Sequence, residues 1–171
     1  IIKEVAMKLD LYEASPEYIS YLRQFDSNVL AEKATFKQRR YVGTVITIDS
    51  KNYFLPLSSP KGRHRFLGSS LDIYKLDSGN LGIINLNKMI PIKREYLEKI
   101  DFKKVSDQRY KGLLKKQYYI LNEKSSVIHN RAERIYNIAT KREELKEFEI
   151  KLKERCCNFQ LLEEQAKQYH Y

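Results

Sequence analysis

The chain has 171 residues, of which 42% are hydrophobic, and a formal net charge of +10. This length predicts a single domain, residues 7–171, built around one ordinary core. No apolar run approaches the roughly 20 residues that cross a bilayer, and no signal-like segment opens the chain, so we expect a cytoplasmic protein without a membrane partner. The two cysteines, Cys156 and Cys157, are adjacent, which excludes a disulfide framework and fits a reducing compartment.

The first predicted elements are a short strand and a helix. Residues 8–12 have the pattern of a strand. Ser15 and Pro16 then supply a helix N-cap and a first-turn proline, which favours a helix of about three turns. Its apolar side chains recur at helical spacing and are expected in the core: Tyr18, Tyr21, Leu22 and Phe25.

Two hairpins are predicted next. Residues 41–48 are rich in β-branched side chains, and a two-residue turn separates them from a partner strand at residues 52–57, whose register the sequence leaves open. Further strands are expected at residues 70–76 and 80–86, joined by a turn at residues 77–79. Together these segments predict an antiparallel meander.

The second half of the chain has a helical period. Residues 126–155 contain no Gly or Pro and predict one long helix or two with a break, and a last helix is expected to begin near Asn158. The fold class is therefore predicted to be α+β, with helices packed against the sheet. An earlier helix is predicted from an apolar stripe: Tyr110, Leu113, Leu114, Tyr118 and Leu121.

The spacing of metal-binding and phosphate-binding residues argues against a cofactor. His64, His129 and His170 are far apart, and no carboxylate cluster has the spacing of metal ligands. The six glycines are scattered and do not form a phosphate-binding loop. We therefore expect no metal and no other cofactor, which argues against an ATPase or a dehydrogenase.

The excess of positive charge is concentrated in the middle of the chain. Residues 61–125 carry 15 basic and 7 acidic side chains, which is +8 of the total of +10. Such a stretch can form one basic surface that attracts a polyanion by releasing its counterions. Nucleic acid is the leading partner class, and a solvated lysine-rich face is the alternative.

A group of hydroxyl, amine and imidazole side chains follows the strand predicted at residues 52–57. RNA carries its own nucleophile, the 2′-hydroxyl, so an enzyme needs only to orient it, stabilise the phosphorane charge and assist proton transfer. The group suits that task, although an ordinary basic surface turn would have the same composition. Its members are Ser58, Ser59, Lys61 and His64, with Arg63 and Arg65 interleaved.

Residues 53–61, Tyr-Phe-Leu-Pro-Leu-Ser-Ser-Pro-Lys, resemble the Pro-Leu-(Thr/Ser)-Ser-Pro-Lys block of the ToxN/AbiQ family. These proteins are the endoribonuclease toxins of type III toxin–antitoxin systems. Residues 17–26, 41–43, 81–92 and 157–164 are similar to other blocks of the family and occur in the same order. Taken jointly, the blocks are far more specific than any one of them.

The resemblance implies a compact, strongly twisted antiparallel sheet with surrounding helices, comparable to the MazF/Kid toxins. It implies sequence-preferring RNA cleavage without metal that leaves 2′,3′-cyclic phosphate and 5′-hydroxyl ends. A small repeated RNA antitoxin, usually a pseudoknot, would be processed by the toxin and inhibit it in an RNA-mediated hetero-oligomer. Released toxin would cut cellular or phage RNA, arrest growth and abort phage infection. Residues 1–6 precede Met7, which aligns with the usual start of the family, and are interpreted as a leader without function.

Carried over position by position, the resemblance places Ser58, Ser59 and Lys61 at the cleavage centre. Ser59 would orient the scissile phosphate, and Lys61 would stabilise the pentavalent phosphate or, if its pKa is lowered, shuttle a proton. His64 is either the acid or base or a loop histidine that contacts phosphate. A noncatalytic module that binds structured RNA is the alternative function. The expected RNA contacts are Phe36, Lys37, Arg39, Arg40, Arg63, Arg65, Lys88, Lys111 and Lys115, with Tyr41 and Tyr74 as further stacking candidates.

Overall fold

The computed structural model describes residues 8–31, 41–68 and 70–170, and in this part of the chain seven strands form one antiparallel sheet beside five α-helices. The α+β class is confirmed, while the likeness to the MazF/Kid core stays a prediction. The strands are β1 (Tyr12–Ala14), β2 (Tyr41–Ile48), β3 (Lys51–Ser58), β4 (Ile73–Lys75), β5 (Ile83–Asn85), β6 (Ile90–Pro91) and β7 (Leu97–Lys99). The helices are α1 (Pro16–Arg23), α2 (Gln108–Glu123), α3 (Ser125–Thr140), α4 (Glu147–Arg155) and α5 (Phe159–Gln168).

The hairpin of β2 and β3 forms the centre of the sheet. Asp49 and Ser50 connect the strands with φ angles of 47° and 64°, the left-handed backbone whose twist matches that of paired strands. The register runs from Gly43 opposite Pro56 to Ile48 opposite Lys51. The predicted turn is confirmed, and the structure supplies the register that the sequence left open.

The predicted meander is wrong beyond β3. The strand order is β4-β5-β3-β2-β1-β7, so β5 lies between β3 and β4, and β6 also pairs with β3. Because β3 and β4 are not neighbours, the connecting residues 59–72 must leave the sheet and return to it. This excursion carries the 3₁₀ turn Gly62–Phe66.

The N-terminal strand and helix differ from prediction in their bounds. The strand expected at residues 8–12 begins only at Tyr12, because the Asn122 side chain bonds to both the N–H (2.9 Å) and the carbonyl (2.8 Å) of Leu9 and replaces a strand partner there. The hydroxyl of Ser15 accepts from the N–H of Tyr18 at 3.3 Å, which confirms the predicted N-cap. The helix ends after eight residues, however, and the Phe25 side chain beyond it is 40% exposed, outside the core.

The C-terminal half contains the predicted helices. The long segment forms two helices with a break at residues 141–146, and Asn158 caps the last helix by accepting from the N–H of Leu161 at 3.2 Å. No helix in the described ranges has both the length and the apolar composition needed to cross a bilayer. Cys156 and Cys157 are buried and unbridged, and burial raises the pKa of each thiol to about 12.

A largely buried carboxylate joins α5 to the sheet and to α3. One oxygen of Glu163 accepts from the hydroxyls of Tyr53 at 2.5 Å and Tyr136 at 2.8 Å, and the other accepts from Nζ of Lys51 at 2.8 Å. Burial opposes ionisation of this group, but the three hydrogen bonds outweigh it, so the pKa of Glu163 lies below its ordinary value.

We expect Glu163→Gln to lower the free energy of unfolding by about 1–3 kcal/mol at pH 7, because the two tyrosine hydroxyls and the lysine lose a charged acceptor. A lowered native pKa means that this contribution is present above the ordinary glutamate pKa and is lost as the pH falls through the native one. Urea denaturation at pH 7 and at about pH 3 measures both effects. Glu164→Gln is the control, since Glu164 is exposed and pairs only with Lys167 at 3.4 Å among the contacts described. An equal loss at both pH values would contradict the assignment.

Candidate active site

A cleft of 340 Å³ opens where β3 ends. One wall is the end of β3 together with β5, a second is the turn Gly62–Phe66, and a third is the first half of α2. The N-cap of α2 fixes that third wall, because the carboxylate of Asp107 accepts from the N–H of Tyr110 at 3.1 Å. The polar side chains that line the cleft are Tyr41, Ser58, Ser59, Lys61, Arg63, His64, Asn85, Tyr110 and Gln117. The structure thus brings together the four side chains predicted to be catalytic.

Ser58 marks the point at which β3 leaves the sheet. It is the last residue paired with β5, opposite Ile83, and its hydroxyl accepts from the amide of Asn85 at 2.8 Å. Pro60 has no N–H to continue the ladder, so the chain turns away after Ser59. Ser58 and Ser59 therefore both line the cleft, and the Ser58 hydroxyl lies beside an amide from the neighbouring strand.

Two glycines pack closely against the backbone of the cleft walls. Gly82 has a φ of +100°, and a Cβ there would lie 2.1 Å from the carbonyl oxygen of Ser58. Gly79 has a φ of +94°, and its Cβ would lie 2.8 Å from the carbonyl oxygen of His64. Any other residue at position 79 or 82 would be strained and would collide with backbone. These two glycines therefore allow residues 79–82 to pack directly against the end of β3 at Ser58 and against the turn at His64.

His64 is buried, with 1% of its surface exposed, although it lies in a loop. The backbone N–H of His64 donates to the carbonyl of Lys61 at 2.9 Å. The ring Nδ1 of His64 accepts from the backbone N–H of Lys61 at 3.2 Å. The neutral ring therefore carries its proton on Nε2. Burial and the cations of Lys61 and Arg63 lower the pKa of His64, so the neutral form is favoured at pH 7.

The described walls of the cleft carry positive charge. Lys61 and Arg63 contribute cations, and none of the described residues in its walls is a carboxylate. In the described part of the chain, no group of three His, Cys, Asp or Glu side chains has the geometry to hold a metal ion. Hydroxyl, amide and neutral imidazole groups beside two cations form a site suited to an anion such as a phosphodiester.

Some of the other residues predicted to contact RNA lie near the cleft, and others lie away from it. Arg65 is exposed on the same turn, and Lys111 and Lys115 lie on α2 outside the cleft walls. Nζ of Lys88 donates to the carbonyl of Arg155 at 2.8 Å and to the side chain of Asn28 at 3.1 Å, away from the cleft. Tyr41 lines the cleft, whereas Tyr74 lies beneath the guanidinium of Arg131, 5.1 Å from its ring centre. Phe36, Lys37, Arg39, Arg40 and the leader at residues 1–6 lie outside the described residues.

Three polar residues of the cleft are absent from the predicted site. Asn85 reaches Ser58 only through the pairing of β3 with β5, which the sequence does not reveal. Tyr110 belongs to the predicted apolar stripe but is 39% exposed in the cleft wall. Gln117 is 3% exposed and donates to the carbonyl of Leu81 at 2.9 Å. A buried glutamine seven residues after Tyr110 interrupts an apolar stripe, and that interruption is the available signal.

Comparison with known proteins agrees with the resemblance of the sequence blocks. Residues 10–167 match the family described as "Toxin ToxN, type III toxin-antitoxin system". The chain is 33% identical over 157 residues to Endoribonuclease ToxN of Bacillus thuringiensis subsp. kurstaki, which covers 91% of this chain and 81% of that protein. It is 30% identical over 176 residues to Endoribonuclease AbiQ of Lactococcus lactis subsp. lactis, with coverage of 95% and 90%.

Solved structures of similar proteins have the same fold. One, described as a type III system with "selective toxin inhibition by a non-coding RNA pseudoknot", superposes with a TM-score of 0.81 at 31% identity and covers 95% of this chain and 98% of that one. Another, of AbiQ, "a lactococcal anti-phage endoribonuclease", has a TM-score of 0.74 at 26% identity and covers 95% and 98%.

Gly82→Ala and Gly112→Ala are expected to change stability in opposite directions. The first forces a Cβ onto the Ser58 carbonyl at positive φ and should lower the free energy of unfolding by about 2–4 kcal/mol. The second places a Cβ in open space inside α2 and should raise it by about 0.5–1 kcal/mol. Thermal or urea denaturation of both variants compares the two signs directly. If Gly82→Ala proved neutral, the fitted contact between residue 82 and the strand end would be refuted.

Proposed function

The chain belongs to the ToxN family of type III toxin–antitoxin systems, and from this premise we propose that it is an endoribonuclease that cuts RNA in the cleft at the end of β3. The observation that carries the proposal is the convergence of Ser59, Lys61 and His64 in one positively charged cleft. The relatives named Endoribonuclease ToxN and AbiQ support the same activity.

The proposed reaction is an internal transesterification of RNA. The 2′-oxygen attacks the adjacent phosphorus, the bond from phosphorus to the 5′-oxygen breaks, one proton leaves the 2′-hydroxyl and one reaches the 5′-oxygen. The products are a 2′,3′-cyclic phosphate and a 5′-hydroxyl, and atoms balance without water. Lys61 neutralises the charge that grows on the phosphorane, and the Ser59 hydroxyl donates to a phosphate oxygen and fixes the line of attack.

For His64 we propose a positioning and hydrogen-bonding role. Its Nδ1 is occupied by the N–H of Lys61, so in the neutral ring Nε2 carries the proton and has no lone pair with which to accept one. The same ring holds the backbone of Lys61 in place. Of the two sequence interpretations, this geometry supports the loop histidine that contacts phosphate over the general base.

The donor set supports cleavage without a metal ion. A catalytic Mg²⁺ is normally bound through carboxylates, whereas the described walls of this cleft offer two cations, hydroxyls and amides. Cationic side chains perform the charge stabilisation that a metal supplies in other nucleases.

We propose that the natural partner and inhibitor is a small repeated RNA. The similar structures are described as a toxin inhibited by a non-coding RNA pseudoknot and as an antiviral system regulated by "a processed non-coding RNA". A cleft that cuts a repeated precursor can retain the product, which yields an RNA-mediated complex. The net charge of +10 favours such binding. Toxin released in the cytoplasm would then cut cellular or phage RNA, arrest growth and abort phage infection.

Lys61→Ala and Ser59→Ala are each expected to lower the cleavage rate by about 10²–10³, the loss typical of removing one group that stabilises transition-state charge. Cleavage of RNA by purified protein in excess EDTA measures the rate, and mass spectrometry of the products identifies the ends. Lys167→Ala is the control, because Lys167 is an exposed cation on α5 outside the cleft walls. Wild-type protein that binds RNA in a salt-dependent manner but leaves it intact would favour the noncatalytic alternative. Full activity of both variants would reject the assigned centre.

His64→Asn is expected to keep the hydrogen bond to the backbone N–H of Lys61 while it removes the titratable ring. An asparagine oxygen can accept this N–H as Nδ1 does, but it does not titrate. Since the pKa of His64 is lowered, the wild-type ring is neutral at pH 7 and becomes protonated only in acid, where Nδ1 no longer accepts. We expect kcat/KM of the wild type to fall on the acid side and this fall to be absent in His64→Asn. A pH profile from about 5 to 9 measures it. An acid limb that persists in the variant would assign that limb to another group.

A further inference from the structure

Phe66 ends the turn that forms one wall of the cleft, and its side chain faces solvent. It is 87% exposed, the largest value among the large apolar side chains described. Gly62 precedes Phe66 on this turn and Gly68 follows it, and a Cβ added to either glycine would meet no atom within 4 Å. An aromatic ring so exposed contributes little to the core, so a different reason is needed for its position.

The backbone that carries Phe66 is well anchored. Two residues earlier, the buried His64 bonds twice to Lys61, and Gly79 packs against its carbonyl. Nζ of Lys75 donates to the carbonyl of Arg65 at 3.4 Å. The ring is therefore presented from a braced turn, which lowers the entropy lost when a ligand contacts it.

The geometry of the turn directs Phe66 along the edge of the cleft. Side chains three residues apart eclipse in a 3₁₀ helix, so Phe66 lies on the same side of the turn as Arg63, which lines the cleft. At about 2 Å of rise per residue, the ring is about 6 Å further along the turn. This places it beside the cleavage centre and outside it.

The segment that carries the ring is cationic. Residues 61–68 contain Lys61, Arg63 and Arg65 and no carboxylate, and Lys75 joins them from β4. A protein-docking patch is a contiguous apolar surface, whereas Phe66 is one ring among cations. Aromatic rings set in a basic groove are the usual platform for unpaired nucleic-acid bases.

We propose that Phe66 stacks on an unpaired RNA base next to the scissile phosphate, while Arg63 and Arg65 bind the neighbouring phosphates. The proposal rests on the proposed function, because it places RNA in the same cleft. It assigns to Phe66 a positioning and specificity role outside the chemistry: the nucleotide that stacks best on the ring is favoured beside the cut.

Binding and cleavage are measured separately so that the two proposals can fail independently. Binding uses a fluorescent single-stranded oligonucleotide of about ten nucleotides and mixed sequence, within the usual site size. Methylation of every 2′-oxygen prevents attack by the 2′-hydroxyl. A second probe of the same length and charge is fully abasic. Anisotropy gives Kd for wild type, Phe66→Ala, Phe66→Tyr and the control Phe148→Ala, which removes a 51% exposed ring on α4.

We expect Phe66→Ala to raise Kd for the base-bearing probe about 5- to 100-fold and to leave Kd for the abasic probe within about twofold, because only base stacking is lost. Phe66→Tyr should restore binding, and Phe148→Ala should not change it. The salt dependence should be unaltered in Phe66→Ala but shallower in Arg65→Ala, which loses a phosphate contact.

The opposite results are equally clear. Equal losses on both probes, or no loss on either, would overturn the stacking role, and a change in self-association with unchanged Kd would show that Phe66 contacts protein. On ordinary RNA, Phe66→Ala should raise KM more than it lowers kcat and alter the nucleotide preferred beside the cut. If the wild type binds as expected but does not cut RNA, the proposed function fails while the stacking role stands.

Discussion

The backbone of residue 82 lies so close to the carbonyl oxygen of Ser58 that no Cβ fits between them, and the cleft depends on this contact. Pairing of β3 with β5 ends at Ser58 and Ile83, immediately beside it. The strand end is thus fixed by hydrogen bonds on one side and by van der Waals contact on the other. A hydroxyl that must align a phosphate within a few tenths of an ångström needs such support, and a loop tip alone would not give it.

The excursion from β3 to β4 is held at its far end by an ion pair between the buried Asp72 and the half-exposed Arg155. Asp72 is 2% exposed, and its carboxylate accepts from Nε and Nη2 of Arg155 at 3.0 and 3.2 Å and from the hydroxyl of Ser70 at 2.8 Å. Burial opposes its ionisation, but these bonds outweigh it and the pKa of Asp72 lies below its ordinary value. The two bonds from the planar guanidinium fix the orientation of the Asp72 carboxylate. The turn with Lys61 and His64 therefore lies between two fixed points.

Local chemistry is readable from the sequence, and contacts between distant residues are not. The Ser15 cap, the turn at residues 49–50 and the start of the last helix near Asn158 each depend on a few adjacent residues, and all three predictions are confirmed. Strands of two or three residues, such as β6 and β7, are too short to show a period. Asn122 displaces strand pairing at Leu9 from 113 positions away, which no local pattern reveals.

The candidate site also contains residues that the sequence reveals and residues that only the fold brings together. Ser58, Ser59 and Lys61 lie within four consecutive residues, so the sequence alone shows their grouping, and the family resemblance gives it a chemical meaning. Asn85 enters through strand order, which is a property of the whole fold. The exposure of Phe66 depends on how the turn is braced, and apolar residues at loop ends are otherwise expected to be partly covered.

The His64 ring links the charge of the cleft to the position of its backbone. A third cation at residue 64 would be repelled by Lys61 and Arg63, so their charges help to keep the imidazole neutral. Only the neutral ring has an Nδ1 that accepts the backbone N–H of Lys61, and this bond adds to the one from the backbone N–H of His64 to the carbonyl of Lys61. The cations that would bind phosphate therefore also stabilise the ring that positions one of them. A substitution that removes positive charge from the turn would act on anion binding directly and on the position of Lys61 through His64.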